Sequence, residues 1–218
     1  MIRDALLLSL RVSLVATAAV AVVGTLLGWL LARGRFRGKE LLDAILTLPL
    51  ILPPAVTGYY LLLLFGRRGM LGGPLHELTG WSIAFTWVGA AVAAGVVSLP
   101  LMMKSARAAI EGVPLDFEFA AATLGSGRWE TFRRVTFPLA RRGLLAGTVL
   151  SFARAVGEFG ATLLLAGNIP GRTQTMPLAI WEAVAAGDDP RARVLVALLT
   201  LLSLGVILAV ARIGRPRS

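Results

Sequence analysis

Cysteine is absent from the 218 residues and histidine occurs once. The first absence excludes disulfides, a thiol nucleophile and any cysteine-ligated metal. The second leaves no zinc site, which needs three or four protein ligands, so His76 reads as a solvated loop residue beside Glu77. Acids are scarce too: 12 Asp and Glu against 22 Lys and Arg, a net charge of +10. Such an excess would suit nucleic acid if it gathered on one face of a domain. It is spread through short segments between apolar runs instead, which argues against a nucleic-acid partner. A GxSxG elbow, a metal-ligand pair and paired carboxylates within an apolar run are all missing, so an intramembrane enzyme has no support. Gly38-Lys39 looks like the end of a phosphate-binding loop, but Glu40 stands where Ser or Thr is needed and Gly34 is one residue too close. The chain is therefore expected to carry no ATP site and no cofactor of its own.

What fills the sequence is hydrocarbon. At 56% hydrophobic residues and a mean hydropathy of +0.77, it exceeds the roughly 45–50% typical of soluble domains. Lipid is then the solvent for most side chains. Five apolar runs are expected to cross a bilayer, at about 12–32, 44–66, 78–103, 143–167 and 194–211, in a single all-α membrane domain covering 1–218. The start looks like a signal peptide, yet Val12 to Ala32 continues for 21 uncharged residues, so an uncleaved first helix is expected. Gly24 and Gly28 form a small-xxx-small pair within it. The second run holds Pro49, Pro53 and Pro54, followed by Thr57 and Gly58. Prolines free backbone carbonyls and break helices, and in lipid those carbonyls must face protein or a wet cavity. That is either a packing kink or the border of a translocation path.

The fourth run contains two charges, Arg154 and Glu158, with Gly157 and Gly160 alongside. Four residues apart, the charges share a helix face and can pair. They either neutralise each other as a structural element or border the path, with the glycines leaving room. Orientation follows from the basic residues. Segments 33–43, 104–142 and 212–218 carry fourteen, and the segments on the other side carry seven. Positive loops stay cytoplasmic, so the N-terminus is expected outside and the C-terminus inside the cell membrane.

The longest polar stretch is Val113 to Pro138. Pro114 suits a first helical turn, with Asp116 and Glu118 favouring the helix N-terminus. Leu115, Phe117, Phe119, Ala121, Ala122 and Leu124 recur at helical spacing and can face a partner. Gly125, Ser126 and Gly127 break the helix, with Ser126 expected to cap a second one that starts at Arg128 and ends near Arg133 and Arg134.

Ala120-Ala121, Gly125 four residues on, Val135 ten further and Pro138 resemble the coupling motif of ABC-importer permeases. The acid usual directly before the Ala pair is Phe119 here and stands one step earlier, at Glu118. That displacement resembles the molybdate/tungstate branch. LPLILPPAVTGYYLLL in the second run, GEFGA at Gly157 to Ala161 and AGNIPGRTQTMP at Ala166 to Pro177 resemble molybdate permeases as well. Sulfate permeases share the Asn-Ile-Pro and Thr spacing but tend to Tyr at the position of Phe159. The resemblance covers roughly Arg11 to Ala211. It implies a type I, MetI-like permease fold and a homodimer of this chain. It also implies two cytoplasmic ATPase subunits holding ATP and Mg, an external solute-binding protein, and molybdate or tungstate as the ion, with sulfate or thiosulfate as the alternative. It implies further that 113–138 docks into the ATPase through Glu118, Phe119, Ala120, Ala121, Gly125, Arg128, Val135 and Pro138. Pro53, Pro54, Thr57, Gly58, Arg154, Gly157, Glu158 and Gly160 are the candidates for a path or gate.

Overall fold

The computed structural model describes Ile2 to Ile213; Met1 and the end of the basic tail, Gly214 to Ser218, lie outside the described residues. Within them the chain is all helical: α1 Ile2–Arg33, α2 Lys39–Ile51, α3 Pro54–Phe65, α4 Gly72–Thr79, α5 Trp87–Glu111, α6 Leu115–Thr123, α7 Arg128–Thr131, a π-helical turn Phe132–Thr136, α8 Phe137–Val156, α9 Gly160–Ala166, α10 Met176–Ala185 and α11 Asp189–Ile213. Three helices, α1, α5 and α11, are long and apolar enough to cross a bilayer unaided. Two more crossings arise if each of two bent pairs is one span. These pairs are α2 with α3, bent by 116°, and the run Arg128–Val156 with α9, bent by 64°.

α5 is the hub, packed against α1, α8, α9 and α2. Small residues make this possible. A Cβ on Gly24 would fall 2.6 Å from Met102 Cγ, and one on Gly28 2.6 Å from Ala106 Cβ. The spaced pair on α1 therefore sets its close approach to α5. One buried cluster joins Val20 of α1, Met102, Ala106 and Ile110 of α5, and Ala140 and Leu144 of α8 to Phe132. Near the other end of α1, Ala5 packs with Met176, Ala179 and Ala183 of α10 and Leu195 of α11.

Helix limits depart from the apolar runs for identifiable reasons. α1 begins ten residues before its uncharged stretch. Gly80 closes α4 at φ +70°, and Thr86 caps α5 by accepting from Gly89 N at 3.2 Å, so α5 starts only at Trp87. It then runs past Lys104 and Arg107 to Glu111, because Asp43 of α2 pairs with Lys104 at 2.6 Å and Arg107 at 2.9 Å. The segment from Asn168 to Arg193, between the fourth and fifth apolar runs, contains the apolar helix α10, too short to cross. His76 lies in the last turn of α4 rather than in a loop.

Candidate functional site

The stretch 113–138 forms a helical hairpin whose first arm follows the reading and whose second does not. α6 is capped at Pro114, with Asp116 and Glu118 in its first turn. Gly125 turns the chain at φ +86°, a conformation that costs an L-residue with a side chain about 1–2 kcal/mol. Ser126 is not the cap of the next helix: Gly127 holds that position, without a side-chain hydrogen bond. The second helix does not stop at Arg133 and Arg134 either. It widens into the π turn, which includes Val135, and continues into α8 with Pro138 inside its first turn. With no helix end to serve, Arg134 pairs with Glu130 at 3.0 Å. Single π turns within helices occur frequently at functional sites; this one joins the hairpin to a membrane helix.

The hairpin divides its residues between an exposed face and an anchored one. Leu115, Phe117, Phe119, Leu124 and Trp129 stand out, Leu124 with 87% of its surface exposed. Ala120 and Arg128 are exposed beside them and Ala121 is half-buried. Glu118 belongs to the other face. Its carboxylate accepts from Arg33 Nε at 3.1 Å to each oxygen, and Oε1 also accepts from Thr136 Oγ1 at 2.9 Å. Arg33, the last residue of α1, donates through Nη2 to the carbonyls of Ile110 at 2.9 Å and Val113 at 2.8 Å. One guanidinium thereby ties together the end of α1, the end of α5, α6 and, through Glu118, the π turn. Trp29 reinforces the tie, with ring centroids 4.7 Å from Phe132 and 6.0 Å from Trp129. A cleft of about 190 Å³ remains between α1, α6 and α7, lined by Arg33, Glu118, Phe119 and Arg128 among others.

The eight path candidates converge where the two bent pairs meet. Pro53 caps α3 and Pro54 opens it, both exposed at the 116° bend. Gly58 and Gly160 let α3 and α9 touch. A Cβ on Gly58 would lie 2.7 Å from Ala161 Cα, and one on Gly160 3.1 Å from Ala55 N and from Pro54 Cβ. Gly157 meets no such limit, since its Cβ would find only Ala153 O at 3.8 Å. Thr57 is buried, its hydroxyl without a hydrogen-bond partner among the described residues. Arg154 and Glu158 do pair, Nη1 to Oε2 at 2.7 Å, but not along one helix. α8 ends at Val156, and Glu158 sits in the break, where Oε1 accepts from Ala161 N at 2.8 Å and caps α9. The Glu158 side chain is 1% exposed and that of Arg154 28%, so the acid is sealed while the cation keeps an open edge.

A model of the family described as "Binding-protein-dependent transport system inner membrane component" matches residues 24–215. The chain belongs to this family. It is 45% identical over 99% of its length to the Escherichia coli K12 protein named molybdenum transport system permease protein ModB, covering 96% of that protein. It is 41% identical over 90% to YvgM of Bacillus subtilis, named a putative molybdenum transport system permease and covered to 86%. The E. coli sulfate transport system permease protein CysT is 37% identical over 92%, with 74% of that protein covered. Among solved structures, the MetNI methionine ABC transporter in inward-facing form aligns over 99% of this chain and 95% of its own at a TM-score of 0.77 and 17% identity, a likeness of fold. This permease is thus an all-α, MetI-like membrane subunit of a transporter, multi-pass in the inner membrane.

Two features of the permease site were beyond sequence reasoning. The Arg33–Glu118 tie joins residues 85 apart, and Arg33 entered the reading only as one of the charges that orient the chain. A polar cluster joins the loop after α9 to α10: Asn168 donates to Glu182 at 2.8 Å, and Gln174 donates to Asn168 at 3.1 Å and also to Glu182. The nearest available signal was the Gln and Asn in a segment otherwise rich in Gly and Thr.

Proposed function

We propose that this permease forms the membrane path of an ATP-driven molybdate importer. The carrying observation is the 45% identity with ModB over 99% of the chain; 37% with the sulfate permease CysT over 92% favours sulfate less. Tungstate, a tetrahedral dianion of nearly the same size, would use the same path. ATP and Mg belong to two cytoplasmic ATPase subunits, and an external solute-binding protein delivers the ion. The exposed apolar face of the α6–α7 hairpin supports docking to an ATPase. Five large apolar side chains held out from a fixed turn fit a protein cleft better than water. The anchoring of Glu118 to Arg33 gives that hairpin a rigid connection to α1 and α5 through which nucleotide-driven motion reaches the bundle.

A second copy of the chain completes the pore. α2 and α3 leave Leu41, Ile45, Ile51, Val56, Tyr59 and Tyr60 uncovered around their bend, a surface that a twofold partner would bury. The path then runs by the joint of the bent pairs. Glu158 is too enclosed to meet a dianion and would repel it. Its work is to hold Arg154, whose open edge presents positive charge to the passing ion. The hairpin side is cytoplasmic and the N-terminus external, as the basic residues indicate.

The test is accumulation in cells stripped of their own molybdate system and supplied with this permease, its ATPase and its binding protein. Molybdate uptake suppressed by tungstate and indifferent to excess sulfate is the expected result. Uptake of sulfate with suppression by thiosulfate would assign the chain to the alternative.

A further inference from the structure

A groove of about 470 Å³ opens between α1 and α8 with Met102 of α5 in its wall. Its sides are hydrocarbon: Val22 and Leu26 on α1, Leu144 and Leu145 on α8. The two hydroxyls in its wall already have acceptors within the protein: Thr25 donates to Ala21 O at 2.6 Å, and Thr148 to Leu144 O at 2.9 Å with Met102 Sδ at 3.7 Å. Val22 and Leu145 are more than half or half exposed, at 62% and 50%, so the groove faces outward and is open. One lining residue is charged, Arg141. No carboxylate among the described residues pairs with it.

The placement decides what fits. Arg33 marks the hairpin end of α1; Leu26 lies about 10 Å and Ala21 about 18 Å along the helix from it at ~1.5 Å per residue. One leaflet of a ~30 Å hydrocarbon core is about 15 Å deep. Those α1 residues line the groove's deep end, around the midplane; on α8 the lining runs from Phe137 to Thr148, about 16 Å at the same rise, so the groove extends over about one leaflet from the hairpin end. A transmembrane helix from a partner would need an apolar strip across the whole bilayer, whereas an acyl chain needs one leaflet. Basic pockets between membrane helices suit anionic headgroups, and Arg141 stands at the interfacial end.

We propose that this groove is a binding site for an anionic phospholipid of the leaflet on the hairpin side, with an acyl chain along α1 and α8 and the phosphate on Arg141. Only the naming of that leaflet as cytoplasmic rests on the orientation proposed above. The site touches the machinery. Phe132 of the π turn and Phe137 of α8 form its lower wall, their rings 6.1 Å apart edge to face, and Phe132 is packed in turn on Trp29. A lipid seated there bears on the segment that joins the hairpin to the membrane helix, so its occupancy stiffens that joint.

The experiment is native mass spectrometry of the assembled transporter, with phosphatidylglycerol and phosphatidylcholine of identical chains as probes. The wild type retains phosphatidylglycerol in preference to phosphatidylcholine. Arg141→Gln reduces that retention about five-fold, Arg141→Lys restores most of it, and Arg142→Gln, whose arginine is outside the groove, changes it little. Ala21→Phe fills the groove and reduces retention of both lipids. Equal retention of the two lipids by the wild type, or equal losses for Arg141→Gln and Arg142→Gln, would overturn the site. So would a disulfide between copies formed at Ala21→Cys in this cysteine-free chain, since the groove would then be a protein interface. Retention is read without transport, so a failure here is separable from a failure of the molybdate reading.

Discussion

Glu118→Gln removes a charge from the tie between the hairpin and α1 while keeping the side chain's shape. In the wild type the carboxylate holds Arg33 through Nε at 3.1 Å and Nη2 at 3.0 Å, and both side chains are about one-sixth exposed. Hydrogen bonds to charged groups contribute about 1.5–3 kcal/mol each, against about 1 kcal/mol for neutral ones. The amide retains the Oε1 acceptor for Thr136 and Arg33 but sets an NH₂ where Oε2 stood, so one ion-paired contact becomes a hydrogen bond from a cation to a neutral oxygen and another is lost. Partial exposure at the membrane rim trims the sum, leaving about 2 kcal/mol. The local opening of α6 should become easier by that amount, roughly thirty-fold in its equilibrium. Hydrogen exchange followed by mass spectrometry on Phe119 to Thr123 reads this directly, because exchange there requires α6 to open. Arg33→Gln should cost more, since the Ile110 and Val113 carbonyls lose their donor too. The double variant should fall short of the sum by about 1–2 kcal/mol. Exchange within two-fold of wild type for Glu118→Gln, or strict additivity, would refute the tie.

Four other outcomes follow from the geometry. Gly125→Val should insert and fold normally, since a Cβ there meets nothing within 4 Å, yet lose ATPase association because valine resists the left-handed turn; pull-down with the ATPase checks it. Arg154→Gln should destabilise the detergent-extracted permease by about 3–5 kcal/mol, because it strands a sealed carboxylate, whereas Glu158→Gln leaves an arginine with an open edge and should cost less; thermal unfolding of both and of the double variant ranks them. Gly58→Ala forces a Cβ to 2.7 Å from Ala161 Cα and should cost about 1–3 kcal/mol, while Gly157→Ala should be neutral; the same unfolding assay separates them. Single cysteines at Met70, which is 80% exposed, and at Gly171 should react with an impermeant reagent on intact cells and those at Arg37 and Ser126 should not, and labelling at Ser126 would reverse the orientation.

The residues most legible from the sequence were those whose meaning is local. Proline pairs break a helix wherever they sit, so the bend at Pro53 and Pro54 was readable, although its 116° was not. Gly125 sits in a turn because few other residues tolerate its φ. Arg154 and Glu158, four apart, were within reach of each other whatever surrounded them. Their use was not legible: periodicity put both on one helix, whereas Gly157 ends α8 and frees the acid to cap α9. The end of the hairpin was misplaced for a related reason. Arg133 and Arg134 have the chemistry of a helix terminus, but burial of Phe132 and Thr136 in the bundle carries the helix on through a π turn. Long-range partnership was invisible altogether. Nothing local to Arg33 distinguishes it from Arg35 or Arg37, and only the fold brings Glu118 beside it.

We propose that this permease moves molybdate under the control of an ATPase docked on its hairpin, and reconstitution tests this most directly. Proteoliposomes holding the permease, its ATPase inside and its binding protein outside allow molybdate uptake and ATP hydrolysis to be followed in the same vesicles. Uptake should require ATP and the binding protein, with both hydrolysis and uptake collapsing together when Phe119 and Leu124 on the exposed hairpin face are changed to Glu. Molybdate entry that persists without ATP, or survives those two changes undiminished, would contradict it.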